Sequence, residues 1–285
     1  LMDGGNTWVS MNNVSGDVGD IGIAGTGKTL TWNYGQQFNE TYSDQVKIRI
    51  NATSSTTIID DSQEVPFEMI EIPAGDYTYG EGDTIKTIDY DYEMMKYEVT
   101  DYEYVVYLLD AMENGDIIVD ENGVRGNYTG DGQYPPGEYK YIGFYMSRIS
   151  WNGSIFELRE GIVNHPVAGV TYYGAYMFAE YYGMELPTGF EWQKAAIGML
   201  AANYPWGENS GDNISDNANY IDSGDPWDNG TTPVGYYNGE NGTTDSPSPY
   251  GVYDIAGNIS EWIKMQPNGS IITTGGNYSN NYISS

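Results

Sequence analysis

The chain has 285 residues, with 41 acidic side chains against 11 Lys plus Arg, a formal charge of -30, one His and no Cys. The lack of Cys excludes thiol nucleophiles, thiolate metal sites, redox pairs and disulfides, and a lone His165 cannot build a multi-histidine centre; any Ser-His-Asp relay would run through that one ring. So acidic a chain repels phosphate backbones and anionic lipid, so neither nucleic acid nor a membrane surface is an expected partner, and no apolar run approaches the roughly 20 residues that span a bilayer.

Residues 1–53 read as all-β. Thr7-Trp8-Val9-Ser10 is a short strand, Lys28-Thr29-Leu30-Thr31-Trp32 alternates polar and apolar, and Gln45 to Ile50 alternates so that Val46, Ile48 and Ile50 share a buried face. Gly22 to Thr29 satisfies the phosphate-loop pattern G-x4-G-K-T. That loop needs a following helix whose positive end meets the phosphates, and Leu30-Thr31-Trp32-Asn33-Tyr34-Gly35 is a poor helix, so a turn between strands is the reading. Asp3 to Trp8, Val14 to Gly19, the Gly-Lys-Thr turn with Trp32, and Lys47 to Ile50 resemble the latter half of an immunoglobulin-like β-sandwich lacking its front strands. Residues 54–64, rich in Ser, Thr and Asp, have a linker's composition and set the boundary of a second domain, 65–285.

The second domain mixes helices and short strands. Ile88-Asp89-Tyr90-Asp91-Tyr92 alternates like a strand face. Thr100-Asp101-Tyr102-Glu103 is a capping box opening a helix to about Ala111, with Tyr104, Val105, Leu108 and Leu109 at core spacing. A second helix starts at Thr171 and stops at Gly183, burying Tyr172, Ala175, Tyr176 and Ala179. A third opens with Thr188-Gly189-Phe190-Glu191 and carries Trp192, Ala195, Ala196 and Met199 inward. From Asn203 onward the chain is rich in Gly, Asn, Asp and Pro, and so long an irregular segment needs another ordering device; in an acidic chain, bound cations are the natural one.

Sequons for N-glycosylation occur at Asn13, Asn39, Asn51, Asn127, Asn152, Asn213, Asn229, Asn241, Asn258, Asn268 and Asn277, eleven where composition predicts roughly three or four. Good Asn-Gly turns explain part of the excess. Together with acidity and scarce Lys it favours an extracellular or cell-surface protein, with every site but Asn258 a glycosylation candidate. A hydrated acidic surface also suits a saline setting.

Phe67 to Gly75, Lys96-Tyr97-Glu98-Val99-Thr100, His165 to Thr171, Leu186 to Trp192, Tyr204-Pro205-Trp206-Gly207, Thr232-Pro233-Val234-Gly235, Tyr250 to Trp262 and Gly275-Gly276 follow one another in the order of the formylglycine-generating enzyme (sulfatase-modifying factor) family, which the chain resembles over about 220 residues. The resemblance implies an α+β, C-type-lectin-like fold. Enzymes of the family oxidise a substrate cysteine with O2 through two cysteines that hold copper(I), placed just after an Arg-Gly-Gly-Ser-Trp motif. Here that place reads Thr274-Gly275-Gly276-Asn277-Tyr278-Ser279-Asn280-Asn281, and soft thiolate ligands are missing throughout.

The resemblance also implies structural calcium. Side chains of Asp254 and Glu261 with carbonyls of Gly257 and Ile259 match one site; Asn219, the Tyr220 carbonyl, Asp225 and the Trp227 carbonyl correspond to a second, in which Asp228 is an alternative to Asp225. His165, preceding Pro166, reads as a turn residue with a satisfied ring. The expectation is a non-catalytic extracellular structural or adhesion protein, stabilised by calcium, that associates with itself, another extracellular protein or a glycan. Both ends look incomplete against the family, which suggests a fragment, or a filament or surface-layer subunit assembled by strand addition. The alternatives are a lectin-like ligand-binding display domain using Asn277 to Tyr282, and a formylglycine-generating oxidase.

Overall fold

The computed structural model describes residues 14–16, 30–32, 56–57, 67–80, 84–159, 161–200, 202–207, 214–227, 230–266 and 268–279. The chain divides into two compact units, Leu1–Ile58 and Ile59–Ser285. In the first, strands β1 (Val14–Gly16) and β2 (Leu30–Trp32) pair antiparallel, Val14 opposite Trp32 and Gly16 opposite Leu30, and β3 is Thr56–Thr57. The remaining sandwich residues, the phosphate-loop pattern and the 45–50 alternation lie outside the described residues, as does most of the 54–64 stretch.

The second unit is α+β. Short antiparallel pairs dominate: β4 (Met69–Ile72) with β7 (Tyr92–Met95), and β5 (Gly75–Tyr79) with β6 (Thr84–Ile88). Strands β8 (Ile117–Asp120), β9 (Gly123–Tyr128) and β10 (Gly137–Gly143) form a meander in which β9 is central. Strand β11 (Ile149–Trp151) pairs with β12 (Phe156–Arg159). The alternating 88–92 segment is not one strand: it comprises the end of β6, a connection, and the start of β7. Its tyrosines face a helix start instead, Tyr90 donating to Glu191 Oε1 (2.9 Å) and Tyr92 to the Glu191 carbonyl (2.6 Å).

Three α-helices follow the expected starts. In α1 (Asp101–Glu113) the Glu103 amide donates to Thr100 Oγ1 (3.2 Å) while the Thr100 amide donates to Glu103 Oε2 (2.7 Å), a reciprocal capping box. Helix α2 (Tyr172–Tyr181) is capped by Thr171, and α3 (Gly189–Ile197) by the second box, Thr188 with Glu191. Tyr172, Ala179, Trp192, Ala195 and Ala196 are buried as expected, whereas Ala175 and Tyr176 are only half-buried. Met199 is 59% exposed because α3 ends at Ile197 and Gly198 (φ +55) turns the chain before Met199 can face inward.

Two apolar clusters meet around these helices. One joins Tyr104, Val105 and Leu108 of α1 to Phe178 of α2 and to Val124, Ile142, Ile149 and Leu158 of the sheets, with Tyr104 stacked on Phe178 at 5.6 Å between ring centroids. The second joins Ile72 to Trp192, Ala195 and Ala196 of α3 and to Val252, Ile255 and Ile263. Glycine is required where α2 meets the first cluster: a Cβ on Gly174 would lie 2.3 Å from the Tyr141 carbonyl oxygen. Beyond α3, the described regular structure is limited to the two-residue pair β13 (Glu261–Trp262) and β14 (Thr273–Thr274).

Candidate functional site

The irregular C-terminal stretch is organised around Asn258. Its side chain is 1% exposed and sits in a loop where Asp254 (φ +55), Gly257 (φ +97) and Asn258 (φ +49) all adopt left-handed backbone. Asn and Asp tolerate that region better than other non-glycine residues. Asn258 Oδ1 accepts from the Thr232 amide (2.9 Å) and Asn219 Nδ2 (3.2 Å), and Asn258 Nδ2 donates to Glu98 Oε2 (2.6 Å). The Ile259 amide donates to Glu98 Oε1 (3.0 Å). Glu98 thereby ties the loop to the segment between β7 and α1, some 160 residues earlier in the chain. Gly257 is pressed against Asn219: a Cβ there would lie 2.4 Å from the Asn219 carbonyl oxygen, which accepts from the Asn258 amide (2.8 Å). The amide nitrogen of the Asn258 sequon is buried and fully engaged, so it is inaccessible to modification.

Asp254 and Glu261, expected to act as a pair, come together, and Glu98 joins them. Burial pushes the Asp254 carboxyl up to about 6 against the opposing hydrogen bond from the Gly235 amide (2.5 Å). Burial first, then the charges of Asp254 and Glu261, push Glu98 well above the usual carboxylate range; Glu261 is raised by burial and by Asp254. Glu261 Oε2 is buried without a hydrogen-bond partner. Gly275 packs so close that a Cβ would lie 2.2 Å from that oxygen. Three mutually repelling carboxyls with an unsatisfied oxygen favour positive charge beside them, and their oxygens are donors of the kind a hard cation takes. Among the described residues no group of three or more His, Cys, Asp or Glu side chains is arranged to hold a metal ion. Glu98 is not among the expected ligands; its sequence signal is its place in Lys96-Tyr97-Glu98-Val99-Thr100.

The second expected set is arranged differently. Asn219 is buried and its Nδ2 donates to the Gly230 carbonyl (2.9 Å) as well as to Asn258. Asp225 caps a turn, accepting from the Trp227 amide (2.7 Å) and from Ser223 Oγ (2.7 Å). The Tyr220 carbonyl accepts from the Ser223 amide (3.1 Å) and that of Trp227 from the Gly230 amide (2.7 Å). Both candidate carbonyls therefore close turns, and Asp228 lies outside the described residues.

His165 is 2% exposed and belongs to a buried network rather than a simple turn. Its Nδ1 lies 3.0 Å from Thr231 Oγ1, which also accepts from Arg148 (2.8 Å); Arg148 pairs with Asp101 (2.7 Å) and donates to the Pro166 carbonyl. Nε2 has no partner, so the ring is only half satisfied. Burial and the nearby Arg148 charge lower its pKa to about 4 and keep it neutral near pH 7, while burial raises Asp101 to about 6 despite Arg148. The partner is Thr231, not Ser, and the carboxylate is bound to Arg148 instead of the ring, so the group has no relay geometry.

Residues 55–284 match the sulfatase-modifying factor enzyme 1-like domain. The chain belongs to this family. The formylglycine-generating enzyme of Thermomonospora curvata is 36% identical over 107 residues, 35% of this chain and 33% of that protein. The bovine formylglycine-generating enzyme is 28% identical over 233 residues, 69% of this chain and 57% of that protein. The serine/threonine-protein kinase pkn1 of Chlamydia pneumoniae is 40% identical over 117 residues, 41% of this chain and 16% of that protein. The chain thus spans well under two thirds of the length of these relatives. A crystal structure of CarF aligns with a TM-score of 0.47 at 19% identity, covering 76% of this chain and 89% of that one. At the place corresponding to the family's cysteine pair, Thr274 pairs with Glu261 across β13–β14, Ser260 Oγ donates to the Gly276 carbonyl (2.9 Å), and the Ser279 amide donates to Asn277 Oδ1 (2.9 Å). Hydroxyls and amides stand there, and residues 280–285 are outside the described set.

Proposed function

We propose that this is a non-catalytic member of the family, an extracellular structural or adhesion module whose C-terminal loops are fastened by calcium. The observation that carries the reading is the absence of any cysteine in all 285 residues, which removes the thiolates on which the family's copper chemistry depends. Among the described residues beside that place, Ser260, Asn277 and Ser279 supply hydroxyl and amide hydrogen bonds. Calcium bound by Asp254, Glu261 and the Gly257 and Ile259 carbonyls would neutralise the buried carboxyls and lock the left-handed loop. Its role there is electrostatic and structural.

The test has two arms. Incubation of the full chain with copper(I), O2 and a cysteine-containing sulfatase peptide should leave the peptide mass unchanged; conversion to formylglycine overturns the non-catalytic reading. Calorimetric titration of chelator-treated protein with calcium should show saturable binding that Asp254→Asn and Glu261→Gln each weaken at least tenfold; no binding removes the calcium reading and leaves the first arm untouched. For the extracellular reading, Asn127, Asn152, Asn241 and Asn268 are exposed and should carry sugar in material from the native source, detectable by glycopeptide mass spectrometry.

A further inference from the structure

The two apolar clusters do not close on each other completely. Between them lies a cavity of about 540 Å3, walled by Met94, Tyr104, Phe178, Leu186, Trp192 and Ile255. That size is within the range of small-molecule sites, roughly 300–1,000 Å3. Sulfur-rich walls (Met69, Met94, Met95 and Met184 all contribute) adapt readily to ligands of different shape.

The polar lining is of one sign. Glu93, Glu98, Glu185, Glu191 and Glu261 line the cavity, and among the described residues no Lys or Arg does. Three of the five are already engaged, Glu98 among them, since it accepts from Asn258 Nδ2 (2.6 Å) and the Ile259 amide (3.0 Å). Glu185 pairs with Lys264 (2.6 Å), and Glu191 caps α3 while accepting from Tyr90. Glu93, Glu98 and Glu261 form no ion pair among the described residues, and Glu261 Oε2 lacks even a hydrogen bond. An anionic ligand would be repelled by this acidic wall, and an uncharged one would leave Glu93 without a counter-charge and Glu98 without an ion-pair partner. An apolar body carrying a positive charge satisfies both the walls and the carboxylates.

We propose that this cavity binds a lipophilic amine, an alkyl or aryl ammonium whose chain lies between α2, α3 and β7 and whose charge meets Glu98 and Glu93. The ligand is organic and monovalent, distinct from the calcium assigned to Asp254 and Glu261, and the cavity retains an acidic wall when that calcium is bound.

Trp192 and Trp262 line the cavity, so their fluorescence reports occupancy. The full chain, saturated with calcium, is titrated with n-octylammonium, n-octanol and n-octanoate, which share one chain and differ in charge. Saturable one-to-one binding of octylammonium, about tenfold tighter than octanol and tighter still than octanoate, is expected. Equal affinities for all three, preference for octanoate, or no saturable response overturns the proposal. Repeating the titration after chelation separates the two cations: octylammonium that binds only when calcium is removed is occupying the calcium carboxylates, and that also overturns it. Glu93→Gln, at an exposed strand position, should weaken octylammonium several-fold and leave octanol unchanged. Met184→Trp should fill the cavity and abolish binding with an unchanged far-ultraviolet circular dichroism spectrum; retained binding in a folded Met184→Trp chain counts against this cavity.

Discussion

The helical half of the second unit and its C-terminal half solve the same problem, satisfying buried backbone, by different means. From Thr100 to Ile197 most polar backbone groups pair within helices and ladders, and side chains serve mainly at the ends, as Thr100, Thr171 and Thr188 do. From 202 to 279 isolated turns and side chains replace the ladder: Asn258 alone bonds Glu98, Asn219 and Thr232. Local bonds are redundant, since a helix losing its cap keeps its other turns. A side-chain hub is not, because one side chain serves several groups from distant parts of the chain at once.

That contrast predicts graded losses. The largest should come from Gly257→Ala, where a methyl meets the Asn219 backbone at 2.4 Å in left-handed geometry: about 3 kcal/mol or more by urea unfolding. Gly174→Ala is the matching change in the helical half, also against a backbone oxygen; if it costs far more than Gly257→Ala, the loop half is the more yielding and the contrast fails. Next is Asn258→Ala, which strands Glu98 Oε2 and the Thr232 amide and should cost about 3 kcal/mol. A loss below ~1 kcal/mol would show that the hub is replaceable.

A pH experiment probes the buried network that spans both halves. His165, lowered to about 4 from 6.5, stays neutral in the folded chain while the unfolded chain protonates, so its contribution falls as pH drops from about 6.5 to 4. Asp101, raised to about 6 from 3.8, acts oppositely: the folded chain holds its proton first, so stability rises as pH drops from about 6 to 4. The two partly cancel in the native chain. His165→Gln should expose the Asp101 slope, making the variant relatively more stable at pH 4.5 than at pH 6.5 in paired denaturation curves; an unchanged slope dissolves the coupling. The smallest effect belongs to the caps, with Thr188→Ala expected to cost about 1 kcal/mol by the same unfolding assay.

The elements that were legible in advance are those whose causes lie within a few residues. Thr100 with Glu103 and Thr188 with Glu191 announce helix starts because cap and amide are three positions apart. Met199 misled because helical periodicity continues past the point where Gly198 bends the chain, and the alternation at 88–92 misled because a turn can preserve it. Glu98 gave no local sign of its role; its partners, Asn258 and Ile259, are separated from it by about 160 residues.

Sequence alone determined the family, the absence of cysteine, the acidic composition and the helix starts, because composition and short-range hydrogen bonding require no knowledge of what lies across the fold. Only tertiary structure decided which carboxylates share a cluster, which sequon is buried, that His165 faces Thr231, and that an acid-lined cavity lies between the two apolar clusters. Burial and charge repulsion depend on distances through space, and folding sets those distances between residues that the chain keeps far apart.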